Sequence, residues 1–218
     1  MSYSSIVPAI IPTSHDELVK YAAQLSFSHE LQLDLVDGKF APTVCWPYVP
    51  PGDPMSVKPF LDAYTLEVDL MVEDSVSAAK QWVEAGADMI VFHVETLSLS
   101  DFKVFADEAK VSVGVSAHGN TSMDVLSEYV KHSDYIQLMG IREIGAQGQP
   151  FDDTVLEKIV TLKERFPMKS ITIDGSVNAD TIVRLRKAGA DRFICGSAIV
   201  LQKDPKAAHK ALSALINE

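Results

Sequence analysis

Three carboxylates, Asp34, Asp69 and Asp174, stand at or near the ends of short apolar runs. In Leu31-Gln32-Leu33-Asp34-Leu35-Val36 the leucines share one face of a period-two pattern, and Gln32 and Asp34 share the other. The run stops at Asp37-Gly38, a pair whose side-chain hydrogen bonding and tolerance of positive φ suit a turn. Carboxylates that face one another do not all ionise unless a cation or a proton is shared among them. The set, with Gln32 beside it, therefore suits metal binding or acid–base work. Taken singly, each acid would serve equally well as a solvated strand end.

A second constellation suits an anion. Gly145-Ala-Gln-Gly148-Gln-Pro-Phe151, Asp174-Gly175-Ser176 and Gly196-Ser197 put small residues after three apolar runs. Small residues let backbone N–H groups approach a phosphate, although the same glycines would also make tight turns. His93 and His118 fall near run ends too. Each has the chemistry of a proton shuttle near neutral pH or of a hydrogen-bonded bystander.

The elements that must position these groups alternate strictly. Strands are expected over residues 6–11, 31–36, 65–71, 88–93, 111–116, 134–139, 170–174 and 192–195. A helix opens after Ser14, a candidate N-cap with Glu17 in capping-box spacing. Further helices are expected over 75–84, 100–109, 122–130, 153–166, 179–188 and 204–216. The proline-rich stretch 42–59 reads as an extended loop over the rim. Strand-then-helix order repeated in this way predicts a single (β/α)8 TIM barrel over residues 1–218. In that fold the strand C-termini form the catalytic rim, and the last loops hold phosphate. Glu84-Ala-Gly-Ala-Asp88 echoes Lys187-Ala-Gly-Ala-Asp191. Duplication explains the echo as well as a shared demand for glycine at helix-to-strand joints does.

Composition bounds the partners. With 218 residues, a net charge of −11 and a pI near 4.9, neither nucleic acid nor an anionic membrane is expected. Cys45 and Cys195, the two cysteines, read as buried thiols in a reducing compartment. Met1-Ser-Tyr-Ser-Ser5 has no basic leader region, and no apolar run is long enough to span a membrane, so a cytoplasmic protein is expected.

Several stretches together resemble the ribulose-phosphate 3-epimerase family. They are Leu33-Asp-Leu-Val-Asp-Gly-Lys-Phe40, Asp69-Leu-Met-Val-Glu-Asp74 and Ala85-Gly-Ala-Asp-Met-Ile-Val-Phe-His-Val-Glu95. Gly148-Gln-Pro-Phe151, Ile173-Asp-Gly-Ser-Val-Asn178, Ala188-Gly-Ala-Asp191 and Cys195-Gly-Ser-Ala-Ile199 extend the likeness over nearly the whole chain. The resemblance implies a barrel that epimerises a ketose phosphate at its third carbon by 1,1-proton transfer. Asp34 and Asp174 fall on the family's base and acid, working from opposite faces. Gly148, Gly175, Ser176, Gly196 and Ser197 fall on its phosphate loops, and Met71 and Met139 on its methionine-lined cavity. It further implies a sugar-phosphate substrate and a homo-oligomer.

The chain also departs from the family, with Val36 in place of the third cavity methionine. Gln32 and Asp69 stand where its two metal-binding histidines belong, Ala9 replaces a serine, and Gly140-Ile-Arg-Glu-Ile-Gly145 replaces the usual Asn-Pro-Gly-Phe-Gly run. An all-oxygen set of Gln32, Asp34, Asp69 and Asp174 suits Mg²⁺ or Mn²⁺ rather than zinc. The alternative is no metal at all, with Arg142 as the cation that stabilises the enediolate. Asp69 and Asp74 also match the aspartates of the Asp-x-Lys-x-x-Asp motif of the orotidylate decarboxylase and hexulose-phosphate synthase group. Met71 stands where that motif has its proton-donating lysine. A sugar-phosphate epimerase is the leading expectation. A phosphosugar-binding barrel without catalysis and a hexulose-phosphate-synthase-like lyase are the alternatives.

Overall fold

The computed structural model describes residues 5–145 and 148–217. Met1–Ser4 of the leader reading, and Ala146 and Gln147 of the glycine-rich loop, lie outside the described residues. The strands β1 Ser5–Ile10, β2 Glu30–Val36, β3 Thr65–Met71, β4 Met89–His93, β5 Ser112–Ser116, β6 Tyr135–Met139, β7 Ser170–Asp174 and β8 Arg192–Cys195 close into one barrel in chain order. Every pairing is parallel, β8 returning to β1.

Around the barrel run α1 His15–Gln24, α2 Lys58–Leu61, α3 Ser75–Glu84, α4 Leu99–Glu108, α5 Met123–Val130, α6 Thr154–Arg165, α7 Ile182–Ala188, α8 Ser197–Val200 and α9 Pro205–Asn217. Ser14 does cap α1, accepting from Glu17 N at 3.2 Å. The return contact differs from a strict capping box: Glu17 Oε2 accepts from Thr13 N at 2.6 Å, one residue further back.

The 42–59 stretch departs from the expected extended loop. Cys45 N and Trp46 N bond back to Val36 O and Pro12 O at the rim. Beyond them a 3₁₀ turn, Pro54–Val57, leads into α2; the turn packs against α1 and α3, and α2 against α1. Asp53 starts that turn by accepting from Met55 N, with Pro54 in the first helical position.

The echoed segments share their backbone duties. Gly86 and Gly189 end α3 and α7 at φ 106° and 115°. Asp88 and Asp191 each then accept from the second N–H of a neighbouring strand, Leu66 of β3 and Ile171 of β7, at 2.9 Å.

The two faces of β2 are both buried, for opposite reasons. Leu31, Leu33 and Leu35 point outward into the apolar layer under the helices. Gln32 and Asp34 point into the lumen, which is largely polar. At its floor Glu67, fully buried, accepts from Arg192 Nη1 and from Tyr135 Oη (2.6 Å), while Arg192 Nε also reaches Glu30 at 2.9 Å. Val7, Ala9 and Ile194 make a small apolar cluster of their own.

Candidate active site

The register of β2 on β3 sets Asp34 directly beside Asp69, and β7 ends on Asp174. Among the described residues these three bring carboxylate oxygens within 4.8 Å of one another. Their relative exposures are only 6%, 0% and 9%. Gln32 lies beneath them. Its Nε2 donates to Asp34 Oδ1 at 2.8 Å and to Asp174 Oδ2 at 2.9 Å. Asp69 is held from the other side, by His93 Nε2 at 3.0 Å and Gln137 Nε2 at 2.8 Å.

Burial is the main electrostatic force here. It disfavours the charged forms of Asp34 and Asp174, and neighbouring carboxylates add to the effect. Asp34 is held well above the usual carboxylate range by burial, then by the charges of Asp174 and Asp69. Asp174 is pushed up to about 7 by burial and Asp69, against the opposing hydrogen bond from Gln32. The mutual repulsion expected from the sequence is thus the second cause, behind desolvation. For His93 burial acts downward, and the adjoining Asp69 carboxylate outweighs it, so its pKa is raised.

Above the acids opens a cavity of about 450 Å³. Asp34, Asp174, Met71 and Met139 line it together with Gly148, Gly175, Ser176, Gly196 and Ser197. Two local features shape the β7 end. Ser176 holds a left-handed φ of 53° and donates its hydroxyl to Gln149 O. Gly140 N donates to Asp174 O at 2.6 Å, so close that a Cβ there would stand 2.3 Å from Gly175 O.

Two sequence expectations are corrected. Arg142 does not line the cavity: its side chain is 78% exposed and its Nε is paired with Asp152 at 3.0 Å. With a carboxylate already beside it and solvent around it, it is in no place to face an enediolate. Gln32 presents its NH₂ group, not its carbonyl, to the acids, because two carboxylate oxygens attract donors and repel an acceptor. The oxygen-ligand set is therefore Asp34, Asp69 and Asp174. Of the two histidines, His93 is buried against Asp69, whereas His118 sits farther out, its ring against Phe40 at 4.9 Å.

Gln137, Tyr135 and the Glu67–Arg192 pair belong to no motif in the sequence. Period-two reading from Met139 back through Gln137 to Tyr135 would have placed both on the lumen face.

The lumen's charge inventory bears on a metal. Among the described residues its buried acids are Asp34, Glu67, Asp69 and Asp174, against Arg192 and His93. Even with His93 protonated, two negative charges remain in a low-dielectric interior. One divalent cation or two protons would neutralise them. Three carboxylates fit a hard, oxygen-loving cation.

The chain matches the Ribulose-phosphate 3 epimerase family over residues 4–200. It is 31% identical over 218 residues to the ribulose-phosphate 3-epimerase of Mycobacterium leprae, covering 95% of this chain and 92% of that protein. Its fold is similar to that of a 3-hexulose-6-phosphate synthase from Salmonella typhimurium (TM-score 0.72, 14% identity, 98% of each chain). It is likewise similar to the 3-keto-L-gulonate-6-phosphate decarboxylase of Vibrio cholerae (TM-score 0.74, 18% identity, 100% of this chain and 98% of that one). Matched along nearly its whole length both by the family as a whole and by an isomerase of carbohydrates, the chain belongs to the ribulose-phosphate 3-epimerase family.

Proposed function

We propose that the protein is a sugar-phosphate 3-epimerase acting on ribulose 5-phosphate or a related ketose phosphate. The observation that carries this reading is the pair Asp34 and Asp174. Both acids line one cavity, are tied to one amide, and are held above the usual carboxylate range, Asp174 up to about 7. A carboxylate with a raised pKa removes a proton near neutrality more effectively than an ordinary one, and its conjugate acid can return one. Asp34 takes the C3 proton, leaving an enediolate, and Asp174 delivers a proton to the opposite face. The small residues Gly148, Gly175, Ser176, Gly196 and Ser197 supply the close backbone approach that a phosphate needs. Met71 and Met139 give the cavity an apolar wall.

Asp34, Asp69 and Asp174 would hold a divalent ion, Mg²⁺ or Mn²⁺ before Zn²⁺, which when bound lends positive charge to enediolate oxygens. The hexulose-phosphate-synthase-like alternative is weakened by Met71, whose thioether in the cavity has no proton to give. No described helix is long and apolar enough to cross a membrane. Both cysteines are buried and free. A cytoplasmic homo-oligomer with no nucleic-acid or membrane partner completes the proposal.

The test is proton NMR of ribulose 5-phosphate in D₂O with the protein, with and without Mg²⁺ or Mn²⁺. Loss of the C3 proton with appearance of xylulose 5-phosphate is expected. Asp34→Asn and Asp174→Asn should each slow turnover by about 10²–10⁴-fold with the fold intact. Undiminished turnover in both variants would remove the two-aspartate assignment. Binding without exchange in the natural protein would indicate a sugar-phosphate-binding barrel without catalysis.

A further inference from the structure

Gln32 is fully buried and does not line the cavity, so it touches no substrate. Its single side-chain nitrogen nevertheless spans the two acids of the proposed reaction, at 2.8 Å and 2.9 Å. A primary amide is the one neutral side chain that offers two hydrogens from one atom, and here each hydrogen goes to a different carboxylate. Its carbonyl, Oε1, is buried with no protein partner. An unpaired buried acceptor is destabilising, and a Met or Leu would fill the same space without one. Turning the amide over would set that carbonyl against two carboxylate oxygens. What Gln32 contributes is therefore its pair of donors.

We infer that Gln32 is a positioning residue that fixes the spacing of Asp34 and Asp174, and so couples proton removal on one face of the substrate to proton delivery on the other. The inference rests on the epimerase reading. If the acids drift apart, Asp34 still removes the C3 proton and forms the enediolate. Asp174 then no longer reaches the opposite face in time. Asp34, once it has exchanged with solvent, returns a deuteron to the face it came from. The product of that sequence is substrate that has gained deuterium and kept its configuration.

Two measurements on Gln32→Met test this. The first is the ratio of deuterium exchange without inversion to epimerisation in D₂O, which is expected to rise at least tenfold over the natural protein. Exchange and epimerisation falling together with an unchanged ratio would overturn the inference, since damage to the fold alone lowers both equally. The second is the crystal structure of the metal-free variant, in which the Asp34 and Asp174 carboxylates should separate by more than 1 Å. Carboxylates left in place would overturn the inference as well. If Gln32→Met fails to fold, Gln32→Asn, whose amide falls one methylene short, is read the same way. A natural protein that shows no exchange defeats the epimerase reading, and the crystallographic measurement then decides the role of Gln32 alone.

Discussion

Raising the pH of the metal-free protein from about 5 to about 8 is expected to weaken its fold, because Asp174 has to give up a proton in a place that disfavours the charge. Its folded pKa is raised from 3.8 to about 7, with burial the main cause and Asp69 the next. Between those values the folded state binds a proton that the unfolded chain does not. The stabilisation is fully present below the unfolded value and is lost as pH rises through 7. Inside the assay window, the roughly two pH units from 5 to the folded value, at 1.36 kcal/mol each, give about 3 kcal/mol, a large share of a typical folding free energy. Asp34 and His93, both raised, act with the same sign. His118, lowered by burial, acts oppositely inside the window, and the partly buried Glu17 and Asp152, also lowered, act oppositely below pH 5. The assay is urea unfolding with a chelator present, followed by circular dichroism at several pH values. The midpoint should fall steadily across the window, and Asp174→Asn, neutral throughout, should flatten much of the slope. A midpoint that stays level or rises from pH 5 to pH 8, or an Asn variant with the natural slope, would refute the reasoning. Mg²⁺ or Mn²⁺ at pH 8 should restore the lost stability by replacing the protons.

Two further predictions concern the lumen floor and the β7 turn. Arg192→Met leaves Glu67 buried with Tyr135 as its remaining donor and should cost about 3–5 kcal/mol in urea unfolding. The double variant with Glu67→Gln should recover most of that loss, and no recovery would mean that the pair is not what matters. At Ser176 the left-handed φ of 53° is unfavourable for a residue with a Cβ, while the hydroxyl bond to Gln149 O offsets it. Ser176→Ala keeps the strain and loses the bond, so it should be less stable than Ser176→Gly by about 1 kcal/mol. Equal stabilities in thermal melts would show that the backbone there is unstrained.

The barrel was legible in the chain because its signals are local. Period-two runs, caps such as Ser14, and glycines such as Gly86 and Gly189 act within a few residues, so strand and helix order follows from them. Resemblance to the family pointed to Asp34 and Asp174, the pair on which the proposed function rests. The helical part of the 42–59 stretch was not legible, since prolines that break a long helix also start short ones, and packing against α1 and α3 decides which they do.

The chemistry of the site depended on distances between strands far apart in sequence. Asp69 beside Asp34 is a matter of β2–β3 register, and Gln32 meets Asp174 across 142 residues. Its place in the family pattern, with its residue type, marked Gln32 as an oxygen donor to a metal, and residue type marked Arg142 as the site's cation. Tertiary structure reversed both. An amide between two carboxylates must turn its nitrogen toward them, and a guanidinium on an exposed loop pairs with the nearest acid, Asp152. Residue types and spacing determined which groups this protein has available. Closure of the barrel decided which of them are buried together, and burial sets their charge.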